Sequence, residues 1–391
     1  MEDVRIGIVG IGSMGTNHAR NLVDGKVPGA SLTAVCDTVP ERLTEARENL
    51  GSDLKCFSDL DDFLKAEVVD AVLIATPHFH HPSIAMRCFT AGLHVITEKP
   101  AGVYAKQVQE MNAAAEASGK VFGIMYNQRT DPVYRKLREM VQSGEVGEIK
   151  RTNWIITAWY RPQSYFDAGG WRATWAGEGG GVLLNQDPHQ LDLWQWCCGM
   201  PTRLRAFAYF GKYHDIEVED DVTAFVEYAN GATGVFVTST ADAPGTNRLE
   251  VTGNNGKVVI EDGKLVFWKL DVPERQFNRE YTGGFGSPDV TRIEVPVEGE
   301  ATQHAGIMKN FVDAIREGAE LLAPGNEGIR GLSISNAMLL SAWSNNWVSV
   351  PCDEELFLTN LQERMENSKY RPDTIDRTMN VKGTYGSPSS K

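Results

Sequence analysis

The 391-residue sequence predicts a two-part α/β protein, a doubly wound parallel sheet followed by an α+β half built on a large, open, mainly antiparallel sheet. Three observations predict it. From residue 4 to about 126, apolar runs of strand length alternate with segments of helical period. The pattern then switches to longer strands separated by turn dipeptides. The chain is also longer than one hydrophobic core normally organises, so two domains are expected.

In chain order, the first half offers "VRIGIVG", "LTAVCD", "VVDAVLIAT", "LHVITEK" and "KVFGIMY" as strands. Nearly continuous apolar strands suit a parallel sheet covered on both faces, and βα alternation implies right-handed crossovers. Beyond "DPVYRKLREMVQSGEVGEIK" come "DVTAFVEYANGATGVFVTST" and "NRLEVTGNNGKVVIEDGKLVFW". Their Asn-Gly pairs at 230 and 255 and the Asp-Gly pair at 262 read as hairpin turns of an antiparallel sheet. Two later helices are expected near 303–317 and 330–346. The resulting division is 1–127, 128–363 and a polar tail, 364–391. The last twenty or so residues lack periodicity and read as a mobile tail or an arm laid on a neighbouring subunit.

Composition narrows the function. Hydrophobic residues make up 42% and charged residues 23%, as in ordinary globular proteins. A net charge of -14 without any Lys/Arg run argues against nucleic acid and anionic membranes as partners. No apolar stretch approaches the roughly 20 residues of a membrane-spanning helix. Cys36, Cys56, Cys88, Cys197, Cys198 and Cys352 form no CxxC pair, against a zinc knuckle or a dense disulfide framework. Reduced thiols and the direct entry into a strand, with no secretory leader, point to the cytoplasm.

The clearest motif is "IGIVGIGSMG", with Gly10, Gly12 and Gly15 in G-x-G-x-x-G spacing between a strand and a helix. Gly10 permits the tight turn, Gly12 lets the backbone approach a pyrophosphate, and Gly15 allows close helix–strand packing. Ile11, Ser13 and Met14 complete the loop. Asp37, 22 residues past Gly15, ends the second strand, where a carboxylate bonds ribose hydroxyls. Together these predict a Rossmann dinucleotide-binding domain. Asp37 would repel a ribose phosphate, which favours NAD over NADP, with Arg42 one helical turn on as a counter-argument.

Ligands of open α/β sheets gather at the carboxyl ends of strands. One such end runs Thr76, Pro77, His78, Phe79, His80, His81, and no acidic or cysteine ligand at matching distance turns its histidines into a metal site. Another runs Glu98, Lys99, Pro100. Pro100 holds Lys99 in an extended backbone, aiming its side chain at the cleft, where partial desolvation lowers its proton affinity and suits it to proton transfer. Taken alone, Lys99 reads equally as a surface lysine paired with Glu98.

"GEGGGVLLNQDPHQLDLWQW" begins a helix with Asp187 as a candidate cap and Pro188 at the first helical position. His189 falls in the first turn, where the helix dipole disfavours the imidazolium, and Asp192 shares its face and is placed to orient the ring. The same stretch also reads as a capped core helix with a satisfied histidine. "ITAWYRPQSYFDAGGWRATW" adds Trp159, Tyr160, Arg161, Tyr165, Trp171 and Arg172, aromatic faces and cationic donors suited to a carbohydrate site or, equally, to a packed sheet face.

The combination of Gly10-x-Gly12-x-x-Gly15, Asp37, Thr76-Pro77 with His81, Glu98-Lys99-Pro100, and Gly179-Gly180-Gly181 leading to His189 and Asp192 resembles the glucose-fructose oxidoreductase/inositol dehydrogenase (Gfo/Idh/MocA) family. The likeness runs from residue 4 to about 363 and includes "IMKNFVDAIREG", similar to the family's late helix. The resemblance implies an NAD(P)-dependent dehydrogenase acting on hydroxyl or keto groups of sugars, glycosides and cyclic polyols. It implies Lys99 and His189 as the catalytic pair across the substrate carbon from the nicotinamide. Relatives commonly carry an Asp four residues before that His; here the position is Asn185, which hydrogen-bonds a hydroxyl but takes no proton.

By the same resemblance, the dinucleotide contacts are residues 10–15, Asp37, Thr76, Pro77, His81, Glu98 and Asn127. The substrate contacts are Lys99, Gln128, Tyr160, Trp171, Arg172, Asn185, His189 and His304. Arg129 looks like a domain-junction position. The expected reaction is hydride transfer between a substrate hydroxyl and NAD, in some members giving a 3-keto sugar. Two alternatives stay open: NAD-assisted glycoside cleavage with the cofactor recycled, and a non-catalytic NAD- or sugar-sensing protein. An antiparallel sheet with one exposed face implies a homo-oligomer, a dimer, a tetramer or larger.

Overall fold

A computed structural model describes residues 2–370; the expected tail beyond 370 lies outside them. The first half runs β1 (Val4–Val9), α1 (Ser13–Val23), β2 (Ala30–Cys36), α2 (Pro40–Leu50), β3 (Lys55–Phe57), α3 (Leu60–Lys65), β4 (Ala71–Ile74), α4 (His81–Thr90), β5 (His94–Thr97), α5 (Ala105–Ser118) and β6 (Phe122–Ile124). All six strands pair in parallel in the order β3-β2-β1-β4-β5-β6. Ile6, Ile8, Leu73, Ile74, Val95 and Ile96 are fully buried, as a sheet covered on both faces requires. The sequence pattern yields five of these strands. It misses β3, whose three residues, Lys55, Cys56 and Phe57, are too short and too exposed to show a period.

The second half continues with α6 (Pro132–Gln142), β7 (Ile149–Ile156), α7 (Gln163–Phe166), α8 (Val182–Asn185), α9 (Pro188–Cys198), β8 (Arg203–Phe210), β9 (Glu219–Glu227) and β10 (Thr233–Ser239). There follow β11 (Asn247–Gly253), β12 (Gly256–Glu261), β13 (Lys264–Leu270), α10 (Glu274–Glu280), β14 (Val290–Glu294), α11 (Gln303–Glu317), α12 (Gly328–Ser344), β15 (Val348–Ser349) and α13 (Glu354–Glu366). Nine strands form one sheet in the order β14-β13-β12-β11-β7-β10-β9-β8-β15. It is antiparallel except where β10 meets β7 in parallel. The three dipeptide turns fall between β9 and β10, β11 and β12, and β12 and β13, where their glycines take positive φ.

The inner face of this sheet is packed by α9, which is buried on almost every side. Trp194 stacks on Phe236 of β10 with centroids 5.3 Å apart, and Trp154 meets the same ring edge-on at 6.3 Å. Each large apolar side chain so buried is worth roughly 1.5–3 kcal/mol. On its other flanks α9 lies against α6 and α12. The late helices close back on the first half: α11 packs against α1 and β1, and α12 against α5. Ile124 of β6 donates its N–H to the Ala323 carbonyl. The first turn of α9 is therefore held at the carboxyl edge of the parallel sheet. Among the described residues, no helix is long and apolar enough to cross a membrane.

Candidate active site

The loop from Gly10 to Gly15 joins β1 to α1. Gly10 takes φ +90°, and a Cβ on Gly15 would stand 1.9 Å from the Gly10 carbonyl oxygen, so neither position accepts a side chain. A Cβ on Gly12 would meet only the Arg42 guanidinium, in ordinary contact at 3.8 Å. No side chain caps α1, whose amino end stands at this loop, the place where a helix terminus meets a pyrophosphate. These residues fit a bound dinucleotide.

Asp37 is buried at the end of β2. Its carboxylate accepts the Ile11 N–H at 2.8 Å and the Val39 N–H at 2.9 Å, and Arg42 Nη1 stands 3.4 Å away. Thr76 and Pro77 form the turn after β4, and the Thr76 hydroxyl is buried without a partner among the described residues. His81 has a different job from the cofactor contact implied by the resemblance. Its Nδ1 lies 2.8 Å from the Pro100 carbonyl and its Nε2 2.7 Å from the Thr76 carbonyl, so the ring braces the two strand-end loops and leaves no nitrogen for a ligand.

Glu98 is likewise committed. One oxygen meets His18 Nε2 at 2.6 Å and the other accepts the Lys99 N–H at 3.0 Å. Burial pushes this carboxyl up, but the His18 bond and the nearby His304 and Lys99 outweigh it and hold it at about 2. Lys99 does not pair with Glu98 at its tip; its Nζ donates to the Asn185 carbonyl at 2.8 Å. Burial lowers its proton affinity against the pull of Glu98 and Glu178.

His189 stands across from Lys99 in the first turn of α9, 8% exposed, with neither ring nitrogen hydrogen-bonded among the described residues. Burial, with Lys99 and His304 nearby, drives its pKa well below the usual imidazole value. Two readings around it need correction. Asp187 makes no capping bond: it is fully buried, facing Thr238 and Trp159, and burial drives it toward the neutral acid. Asp192 does not orient the His189 ring. It is taken by Arg129, with Nε to Oδ2 at 2.7 Å and Nη2 to Oδ1 at 2.6 Å. Helical spacing puts Asp192 on the right face, but a buried guanidinium is the stronger partner.

Asn185 closes α8. Its Oδ1 accepts from the Tyr165 hydroxyl at 3.3 Å, and its Nδ2 donates to Glu178. Arg172 donates to the same Tyr165 hydroxyl at 3.0 Å and lies over both the Tyr165 and Trp171 rings. Trp171 meets His78 edge-on at 5.6 Å. Asn127 donates to Gln303 Oε1 at 2.5 Å, and Gln128 accepts from Gln190 at 3.0 Å. His304 heads α11 and packs against His18 at 5.4 Å, and burial first, then His18, pushes it down to about 3. Tyr160 stands apart, half exposed, its ring joined to none of these groups.

Lys99, His189, Asn185, Trp171, Arg172 and His304 thus converge, while His81, Asp192 and Tyr160 serve elsewhere. Sequence reasoning misses three participants. His18 carries no linear signal, since only the fold brings α1 beside Glu98. Glu178 is legible as the single acid inside a glycine cluster. Glu219 accepts the Gly181 and Leu183 N–H groups at 2.9 and 3.1 Å, capping α8 from another strand; burial pushes it up to about 7.

Residues 4–126 match the model of an oxidoreductase family with an NAD-binding Rossmann fold, and residues 134–259 match the GFO/IDH/MocA C-terminal domain. An inositol 2-dehydrogenase of Rhizobium meliloti is 24% identical over 353 residues, covering 89% of this chain and 99% of the relative. A levoglucosan dehydrogenase of Pseudarthrobacter phenanthrenivorans is 24% identical, covering 90% and 99%. Among solved structures, the WlbA dehydrogenase of Chromobacterium violaceum with NADH and UDP-GlcNAcA superposes with a TM-score of 0.77 at 28% identity, covering 90% of this chain and 97% of that one.

Proposed function

The chain belongs to the Gfo/Idh/MocA family of NAD(P)-dependent oxidoreductases, and from that premise we propose that it oxidises a secondary hydroxyl of a sugar, glycoside or cyclic polyol with NAD. The observation that carries this reading is the pairing of His189, whose Nδ1 is buried with no partner among the described residues, and Lys99, half-buried and held by the Asn185 carbonyl. Relatives named inositol, levoglucosan and WlbA dehydrogenases support the substrate class.

NAD, when bound along Gly10–Gly15 and Asp37, supplies the hydride acceptor. His189, neutral at pH 7 because burial disfavours its cation, takes the hydroxyl proton as the carbinol C–H bond breaks. Lys99 donates a hydrogen bond to the same oxygen and stabilises the charge that develops there. Asn185 positions Lys99 through its carbonyl and presents its amide to Glu178, so the acid–base work rests on His189 and Lys99. The Asp37 carboxylate favours a free ribose hydroxyl over a 2′-phosphate.

The test is the absorbance of reduced nicotinamide at 340 nm across a panel of inositols, pyranoses and glycosides, with NAD and NADP in parallel. Growth with NAD on at least one member is expected. Dinucleotide binding without reduction on any member would favour a sensing role, and product release without net NADH would favour glycoside cleavage with recycling.

The outer face of the nine-stranded sheet supports self-association. It exposes Ile155, Phe207, Tyr209, Phe225 and Trp268, a row too apolar to be left in water. The six cysteines are all free, in keeping with a reducing compartment such as the cytoplasm.

A further inference from the structure

Several guanidiniums of this acidic chain sit on carboxylates: Arg5 on Asp70, Arg129 on Asp192, Arg203 on Glu227, Arg248 on Glu250. Arg161 and Arg172 do not. Among the described residues no carboxylate stands within ion-pair distance of either one, although acids outnumber Lys and Arg by 52 to 38. Instead both lie over the ring of Tyr165, at 5.3 and 4.8 Å from its centroid. Arg161 spends one amine on the Tyr160 carbonyl and leaves its Nε buried and unpaired among the described residues; Arg172 spends one on the Tyr165 hydroxyl. The remaining donors of two planar forks are left for something else.

These forks border the reacting groups. Tyr165 bonds Asn185, whose carbonyl holds Lys99, and both guanidiniums lie near enough to oppose the Lys99 charge. Two acids lie near Lys99: Glu98 has its oxygens on His18 and the Lys99 N–H, and Glu178 has its oxygens on the Ala173 N–H and the Asn185 amide, with burial pushing Glu178 toward the neutral form. Glu98 answers the Lys99 charge, but the two guanidiniums, with no carboxylate of the described residues paired to them, repel each other unless an anion joins them.

Resting on the dehydrogenase reading above, we propose that the substrate carries an anionic group, a carboxylate or a phosphate, docked on Arg161 and Arg172 while its reacting hydroxyl meets Lys99 and His189. Tyr165 is the plate that holds both forks, and Trp171 flanks the sugar-ring side of Arg172. A bidentate carboxylate or phosphate satisfies the unspent donors, where a neutral polyol satisfies them only in part.

The test is calorimetric titration of the full-length protein, saturated with NADH, with glucuronate, glucose 6-phosphate, inorganic phosphate and glucose at low salt. At least one charged probe binds ten-fold or more tighter than glucose, and the preferred probe tells a carboxylate from a phosphate. The advantage collapses in the Arg161→Gln, Arg172→Gln double variant with its circular dichroism unchanged, and part of it returns in Arg161→Lys, Arg172→Lys. Glucose binding as tightly as every anion, no anion binding at all, or an advantage that survives the double glutamine variant overturns the proposal. NADH formation from neutral sugars with no anion preference sinks this inference and leaves the dehydrogenase standing. Anion preference without NADH formation on any substrate does the reverse.

Discussion

At the residue scale, the site depends on histidines kept neutral by burial. His78, His81, His189 and His304 all have proton affinities pushed below the free imidazole value, with burial the leading cause in each. The unfolded chain takes up protons on these rings below about pH 6.5, while the folded chain resists until much lower, about 3 for His304. Stability is therefore full above pH 6.5 and is lost as pH falls toward the folded values. His304→Gln should flatten that loss, sparing about 2 kcal/mol at pH 5 in urea denaturation while changing little at pH 7.5. An unchanged pH dependence would show that His304 does not resist protonation in the fold. Lys99 and His189 are legible in the sequence because each sits beside a marker with its own backbone reason, Pro100 for one and the Pro188 helix start for the other. Asp192 and Asp187 are misread because helical spacing and capping preference describe only local geometry. The partner that claims Asp192 is Arg129, 63 positions earlier.

At the element scale, Arg129 is the pin between the two halves. From the turn after β6 it reaches Asp192 on α9, Glu327 ahead of α12 and the Leu322 carbonyl, while its guanidinium lies over Tyr126 and Trp196. Arg129→Met leaves the fully buried Asp192 without its cation, while Glu327 keeps Arg330. About 3–5 kcal/mol of stability should go in chemical denaturation, with kcat falling more than KM because α9 carries His189. Loss of stability with kcat intact would show that α9 keeps its place without the pin. The helix α1 is pinned as tightly from the other end. Gly15→Ala drives a methyl into the Gly10 carbonyl, so NAD affinity measured by fluorescence titration should fall at least ten-fold; wild-type affinity would mean that the loop yields without cost. Most elements are readable from period and turn chemistry, including the three Asn-Gly and Asp-Gly hairpins. The short β3 and the parallel meeting of β7 with β10 are not, because three residues carry no period and strand direction within a sheet is a tertiary choice.

At the scale of the whole molecule, the nine-stranded sheet spends one face on α9 and its neighbours and leaves the other apolar. Phe207→Asp with Phe225→Asp should lower the sedimentation mass from that of the wild-type assembly while the NADH-binding affinity stays the same. A wild type that sediments as a monomer would contradict the reading of that face. The fold class follows from the sequence because its two halves differ in hydrophobic period, whereas the return of α11 and α12 to the parallel sheet does not, since nothing local says which surface a late amphipathic helix will cover. That return is what encloses the cleft and sets His304 against His18. The claim on which all scales converge is that His189 and Lys99 handle the proton of a hydride transfer. Its most direct test is steady-state NADH formation, on whichever panel member turns over, by the wild type, Lys99→Ala and His189→Ala, with NAD affinity measured alongside. A fall in kcat of roughly 10²–10⁴-fold is expected in each variant at unchanged NAD affinity. Turnover near the wild-type rate in either one would contradict it.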